Sequence, residues 1–430
     1  MQVGFGMPEM RGGPVGPTGI AFVGAGYVAD LYVQTLTNWS GTLALRGVHD
    51  RSAARQADFA RHHGVGTYDD LDAVLADPTV EIVVNLTNPA QHYAISRAAL
   101  EAGKHVYSEK PLALDLLEAA DLLDRAAARG LHVVSAPSTV LGEAAQTALA
   151  AVRRQVCGVP RLVYAEMDDG LVHRIGYGNW RTRSGAQWPA EDEFRTGCTL
   201  EHAGYALTWL VAMFGPVRRV VTSAACLIVD KGPDTPADYD TPDFTCAVLT
   251  FDDGVTARLT NSIVAPHDHR FRVFCEDGTI EVAETWNTRS AVRAIPVADS
   301  RWRRQAYKIF GWDGGRRLPL ARQRKVSTAR RGYPMDFALG VAEMAQAIRA
   351  GRAPRLAGAF SLHVTEVSLA IQHPERFGTS YEPVSVPGPV EPMDWAVAAT
   401  AGASGAGQGG PHQARDGVGT FDEGRAGQRL

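Results

Sequence analysis

Three groups of residues have the types and spacing for chemistry. Glu109-Lys110-Pro111 closes a short apolar segment, and Lys110 is one of only five lysines in 430 residues. An ammonium at the end of a strand can hydrogen-bond a hydroxyl and stabilise the alkoxide that forms as the carbon gives up hydride. A solvated surface lysine is the plainer alternative. Glu201 and Tyr205 lie four apart in a stretch of helical period, so their side chains meet on one face. His202 sits about 60° round the same helix from Tyr205. Gly24, Gly26 and Ala29 make G-x-G-x-x-A between an apolar run, 20–23, and a helix-compatible run, 27–36. That is the spacing of a dinucleotide-binding turn.

In such a turn Gly24 permits the tight bend, Gly26 lets a pyrophosphate approach, and Ala29 packs on the strand. The helix N-terminus, from Tyr27 and Val28, offers N–H groups and partial positive charge to phosphates. A second strand over 43–49 ends at Asp50, 24 residues beyond Gly26. An acid there accepts hydrogen bonds from an adenosine ribose diol and favours NAD. Capping of the next helix is the other role open to it. Arg51 beside it can stack on adenine or meet a 2′-phosphate, so NADP stays open.

These groups need elements to carry them. Helices are expected over 51–63, 69–76, 93–102 and 115–129, with strands over 81–86, 104–108 and 131–135 between them. The alternation predicts a doubly wound parallel sheet, with ligands at the carboxyl ends of its strands. Thr87, Asn88, His92 and Glu109 fall at those ends. Beyond residue 159 the pattern changes to strands at 161–168, 217–229, 244–251, 255–263, 270–276 and 278–282, joined by hairpin turns. One helix, 199–214, interrupts them and buries Leu200, Ala203, Leu207, Leu210, Val211 and Phe214 as a stripe. Further helices are expected at 336–350 and 362–372. The fold class is therefore α/β, an N-terminal Rossmann sheet plus a C-terminal α+β part with a largely antiparallel open sheet. The chain divides into a leader (1–18), a dinucleotide-binding domain (19–140), a substrate and oligomerisation domain (141–386) and a Gly/Ala/Pro-rich tail (387–430). Leader and tail are expected to be largely disordered.

Composition narrows the function classes. A net charge of −4 gives no pull toward nucleic acid or an anionic membrane. Five scattered cysteines without a CxxC pair suggest neither disulfides nor zinc, and point to a reducing cytoplasm. No apolar run has the length of a membrane span, and the leader lacks the core of a signal peptide. His267-Asp268-His269 has metal-ligand types, but its strand context reads as loop or sheet face, so no metal is assigned.

The order Gly24-Ala25-Gly26-Tyr27-Val28-Ala29, then Thr87-Asn88-Pro89-Ala90-Gln91-His92, then Ala102-Gly103-Lys104-His105-Val106-Tyr107-Ser108-Glu109-Lys110-Pro111 resembles the glucose–fructose oxidoreductase/inositol dehydrogenase (Gfo/Idh/MocA) family over 19–371. The resemblance implies hydride transfer between NAD(P) and a secondary alcohol or ketone of a sugar, cyclitol or related polyol. It implies Lys110 as a catalytic residue, often followed by a cis proline, and nicotinamide beside Asn88 and His92. Many members carry Asp-x-Gly-x-His on the helix that here reads Glu201-His202-Ala203-Gly204-Tyr205. Glu thus stands for Asp and Tyr for His. The tyrosine is similar to the glucose–fructose oxidoreductase and dihydrodiol dehydrogenase branches, where Tyr and the lysine share proton transfer. Tyr205 can do so if Lys110 lowers its pKa. His202 is a substitute base, a substrate ligand or a packing residue, and Trp180 and Arg181 touch substrate or serve packing and solvation. The family also implies a homodimer or homotetramer. Two other readings remain: NAD-dependent glycoside cleavage through transient oxidation and elimination, and a non-catalytic dinucleotide sensor.

Overall fold

The computed structural model describes residues 16–322 and 335–401. Most of the expected disordered leader, and the tail beyond 401, lie outside the described residues. The first sheet has five parallel strands: β1 (Thr18–Val23), β2 (Leu43–His49), β3 (Ile82–Asn85), β4 (His105–Ser108) and β5 (Val133–Ser135), in the order β2-β1-β3-β4-β5. The central strands β1 and β3 are buried along their whole length because both faces of the sheet are covered, whereas the edge strand β2 exposes Arg46. Ile20, Phe22 and Val84 join one core cluster, whereas Ala21, Val23 and Val83 join another. Helix α1 (Tyr27–Leu36) follows β1, and α2 (Ala53–His63) follows β2. Ser52 caps α2 through its hydroxyl, and Gly64 ends it in the left-handed region. The helix after β3, Pro89–Glu101, starts four residues before the expected 93, because Pro89 fits the first helical turn, where its missing N–H is not needed.

The second sheet has nine strands. They are β6 (Pro160–Asp168), β7 (Val217–Ala225), β8 (Phe244–Phe251), β9 (Thr256–Ser262), β10 (Phe271–Cys275), β11 (Gly278–Val282), β12 (Val292–Pro296), β13 (Arg316–Arg317) and β14 (Ser380–Tyr381). Their order is β13-β12-β11-β10-β6-β9-β8-β7-β14, antiparallel except for the parallel pair β6–β9. β7 stops at Ala225 rather than 229, since the Asp243 carboxylate accepts the N–H groups of Leu227 and Ile228 and turns the chain away. β12 and the helices Glu143–Arg153 and Arg301–Phe310 were not expected from the sequence. Glu143–Arg153 is buried nearly all round, so it shows no apolar stripe against a polar one. The first part of the tail is also packed, not loose. Val390, Met393 and Ala396 are buried, and the Met393 N–H donates to Gln146 Oε1.

The helix Cys198–Phe214 lies under the second sheet and is buried along almost its whole length, the expected stripe included. Gly197 precedes it with φ +94, and a Cβ there would meet Gln372 Oε1 at 2.6 Å. Gln372 bridges the junction, accepting from Leu200 N and donating to Thr196 O. Trp209 Nε1 donates to Thr139 Oγ1, tying the helix to the segment that leaves the first sheet.

Candidate active site

A cavity of about 1340 Å³ runs between the carboxyl ends of the parallel strands and the second sheet. Its first wall is the turn after β1. Gly24 has φ +105, and an added Cβ would lie 2.5 Å from Leu86 O, so only glycine fits. At Gly26 a Cβ would meet nothing within 4 Å, and no side chain caps the N-terminus of α1. That open helix end faces the cavity and suits a pyrophosphate. Tyr27, Val28, Asp50, Arg51, Thr87, Asn88 and Glu109 line the same space. Asp50 is committed more fully than a free ribose ligand would be. Its carboxylate accepts from Ala25 N and Ser52 N and pairs with Arg55 through two nitrogens, at 3.0 and 2.7 Å. Burial opposes its charge, yet Arg55 and the two amides hold its pKa below the ordinary carboxylate value.

His92 does not reach the cavity. It is fully buried, with Nδ1 2.6 Å from Pro111 O and Nε2 3.0 Å from Thr87 O. It therefore joins the loop after β3 to the turn that carries Lys110, instead of facing nicotinamide. Arg181 is also outside the cavity and donates to Gln187 Oε1, whereas Trp180 lines it.

The second wall faces Lys110, whose bond to Pro111 is cis. Lys110 Nζ forms an ion pair with Glu201, a residue only 3% exposed. Burial works against the ammonium, but the charges of Glu201, Glu193, Tyr205 and Glu109 outweigh it and raise the Lys110 pKa. The lysine is thus a fixed cation. Tyr205 departs from expectation: Lys110 acts to lower its pKa, but burial and the three carboxylates raise it. Its hydroxyl therefore keeps its proton. Glu193, on the short helix Ala190–Thr196, also lines the cavity, and burial beside Glu201 raises its carboxyl well above the ordinary value. Glu193 is therefore biased toward its neutral, protonated form beside Glu201.

Beyond Tyr205 the cavity ends in an aromatic and imidazole corner. Trp286 has its ring 5.1 Å from that of Tyr205, 5.9 Å from His202 and 4.4 Å from His269. His202 Nε2 stands 3.5 Å from Asp169 Oδ2. Burial first, then the charges of Lys110 and His269, push the His202 pKa well down, so its imidazole is neutral. Burial raises Asp169 to about 6.

Residues 18–136 match the family described as "Oxidoreductase family, NAD-binding Rossmann fold", and residues 145–281 match the "GFO/IDH/MocA C-terminal domain". The chain belongs to the Gfo/Idh/MocA family. Among curated Gfo/Idh/MocA relatives, an inositol 2-dehydrogenase/D-chiro-inositol 3-dehydrogenase of Lactiplantibacillus plantarum is 34% identical over 25% of this chain and 31% of its own length. A bovine trans-1,2-dihydrobenzene-1,2-diol dehydrogenase is 27% identical over 50% of this chain and 58% of its own length. The matched stretches thus span 31% and 58% of these relatives' lengths. Of solved structures, a levoglucosan dehydrogenase in complex with NADH and levoglucosan superposes with TM-score 0.68 at 17% identity, over 86% of this chain and all of the other. An inositol dehydrogenase homolog from Azotobacter vinelandii with NADH and myo-inositol gives 0.67 at 18%, over 86% and 98%. At those identities the likeness is one of fold.

Within this Gfo/Idh/MocA chain the structure adds Glu193, Asp169 and Trp286, which sequence reading missed. Asp169 immediately follows β6, where a carboxyl-end position is a usable signal. Glu193 sits in the acidic run Glu191-Asp192-Glu193 ahead of Gly197, and only the sharp turn there shows that it comes back onto Glu201. Nothing local marks Trp286.

Proposed function

We propose that the protein is an NAD(P)-dependent dehydrogenase or reductase acting on a secondary alcohol or ketone of a sugar, cyclitol or related polyol. The observation that carries this reading is the Lys110–Glu201 ion pair, set at the mouth of a glycine turn shaped for a dinucleotide. The bound dinucleotide supplies the hydride acceptor in oxidation and the donor in reduction. Lys110 donates to the substrate oxygen and holds the alkoxide. Tyr205 donates to the same oxygen. The hydroxyl proton passes onto Lys110 Nζ as Lys110 gives one to the Glu201 carboxylate, so the ammonium charge is kept throughout. Glu193 carries its proton beside Glu201 and limits the charge of the pair. In reduction the proton runs back along the same atoms.

Arg51 and Arg55 at the adenosine end support NADP as readily as Asp50 supports NAD. Trp180 and Trp286 offer apolar faces to a sugar ring. Val221 and Val248 form an exposed cross-strand pair on the open face of the second sheet, which supports self-assembly there. The test is a panel of cyclitols, sugars and anhydrosugars with NAD⁺ or NADP⁺, read as nicotinamide absorbance. Reduction of the cofactor by at least one polyol is expected. A chain that binds NADH yet turns over none of them contradicts the enzymatic reading and favours the sensor.

A further inference from the structure

The sequence context of His267-Asp268-His269 reads as loop or sheet face and assigns no metal there. The structure brings a third ligand type to them. Asp168 and Asp268 form an isolated antiparallel bridge, exchanging N–H···O bonds of 3.1 and 2.9 Å. Side chains alternate across such a bridge, so the neighbours of the bridged pair share one face. His267, His269 and Asp169 therefore point the same way. One ligand atom from each lies within 4.8 Å of the other two. His269 Nε2 is 3.8 Å from Asp169 Oδ1.

Behind them, one carboxylate spans both imidazoles. Glu284 Oε1 stands 3.0 Å from His269 Nδ1, and Glu284 Oε2 stands 2.9 Å from His267 Nε2. With Nδ1–H of His269 given to Glu284, its Nε2 lone pair is directed at the Asp169 carboxylate. Two electron-pair donors then face a common point. A carboxylate behind a histidine, fixing its tautomer and ring, is the arrangement that supports metal ligation. Ligand atoms about 2.1 Å from one tetrahedral ion lie about 3.4 Å apart, so closure from within 4.8 Å needs each pair to approach by at most about 1.4 Å.

We propose that Asp169, His267 and His269 bind one divalent first-row cation, with Glu284 as the outer carboxylate and an open position toward the cavity. Two imidazoles and one carboxylate suit zinc or iron(II) and not calcium or magnesium. Three protein ligands leave room for an exogenous oxygen, the pattern of sites that take part in chemistry. Asp169 and His267 line the same cavity as Lys110 and Tyr205. The ion would thus hold a hydroxyl or keto oxygen of the substrate, a role that rests on the dehydrogenase reading; the binding itself does not.

The test is calorimetric titration of EDTA-treated full-length protein with Zn²⁺, with Co²⁺ spectra as a second probe. One Zn²⁺ per chain with a micromolar or tighter Kd is expected. His269→Ala and Asp169→Ala should each weaken it by about 100-fold, and Glu284→Gln by about 10-fold. His62→Ala, in a separate Asp30/His62/His63 group on α1 and α2, should change nothing. Should His269→Ala fail to fold, the more accessible His267→Ala replaces it. No stoichiometric binding, or binding that survives both Asp169→Ala and His269→Ala, overturns the proposal. NADH binding is measured on the same samples. NADH bound without metal sinks the ion and spares the dehydrogenase reading, while metal bound without turnover does the reverse.

Discussion

The two walls of the cavity are built in different ways. The nucleotide wall comes mostly from one short stretch, the turn between β1 and α1, with Asp50 and Thr87 brought in by adjacent parallel strands. The facing wall is assembled from Asp169, Glu193, Glu201, His202, Tyr205, His267 and Trp286, which come from separate strands, helices and loops. Local backbone geometry suffices for the first. The second exists only once the nine-stranded sheet has its register. Their electrostatics differ too. Asp50 is held ionised by an arginine and two amides, whereas Glu193 is held protonated by burial beside Glu201.

Mutations should separate the two walls. Lys110→Ala should lower kcat by about 10³-fold or more, leaving the Kd for NADH within a few fold; steady-state kinetics beside fluorescence titration show the split. Tyr205→Phe should cost about 10²-fold in kcat with little change in Tm, as one donor to the reacting oxygen is lost. On the nucleotide wall, Gly24→Ala should lower stability by about 2 kcal/mol or more in urea unfolding, because φ +105 and the Leu86 carbonyl both oppose a Cβ. Gly26→Ala, with open space around it, should leave unfolding unchanged and weaken NADH by about 10-fold.

The pH effects should carry opposite signs. Asp50 has a depressed pKa, so its contribution to stability is present above its ordinary value of 3.8 and is lost as pH falls below that. Glu193 has a raised pKa, so its contribution is present below its ordinary 4.5 and is lost as pH rises through its folded value. Glu193→Gln should remove the alkaline loss and leave the acid limb alone, in unfolding curves taken across pH.

This contrast also explains how much was legible in the sequence. Gly24, Gly26, Asp50 and Lys110 follow from spacing, and the helix stripe from Leu200 to Phe214 follows from period, because each rule is local. His92 has the position of a nicotinamide ligand, but its ring is spent on two carbonyls that only the folded turn supplies. From sequence, Lys110 is the neighbour that bears on the Tyr205 pKa, and it acts to lower it. Burial reverses the sign, helped by Glu109, Glu201 and Glu193, and neither the burial nor the approach of Glu109 and Glu193 can be read from the local sequence. His267-Asp268-His269 reads as loop or sheet face, and the structure places it in a connection bridged at Asp268; what the sequence does not show is that Asp169 shares the face of the two histidines.

The account turns on one oxygen atom shared between Lys110 and Tyr205. A crystal structure with NADH and a turned-over polyol tests it directly. One polyol oxygen should lie at about 2.6–3.2 Å from both Lys110 Nζ and the Tyr205 hydroxyl, with its carbon facing the nicotinamide ring. A substrate whose reacting oxygen touches neither group would contradict the account.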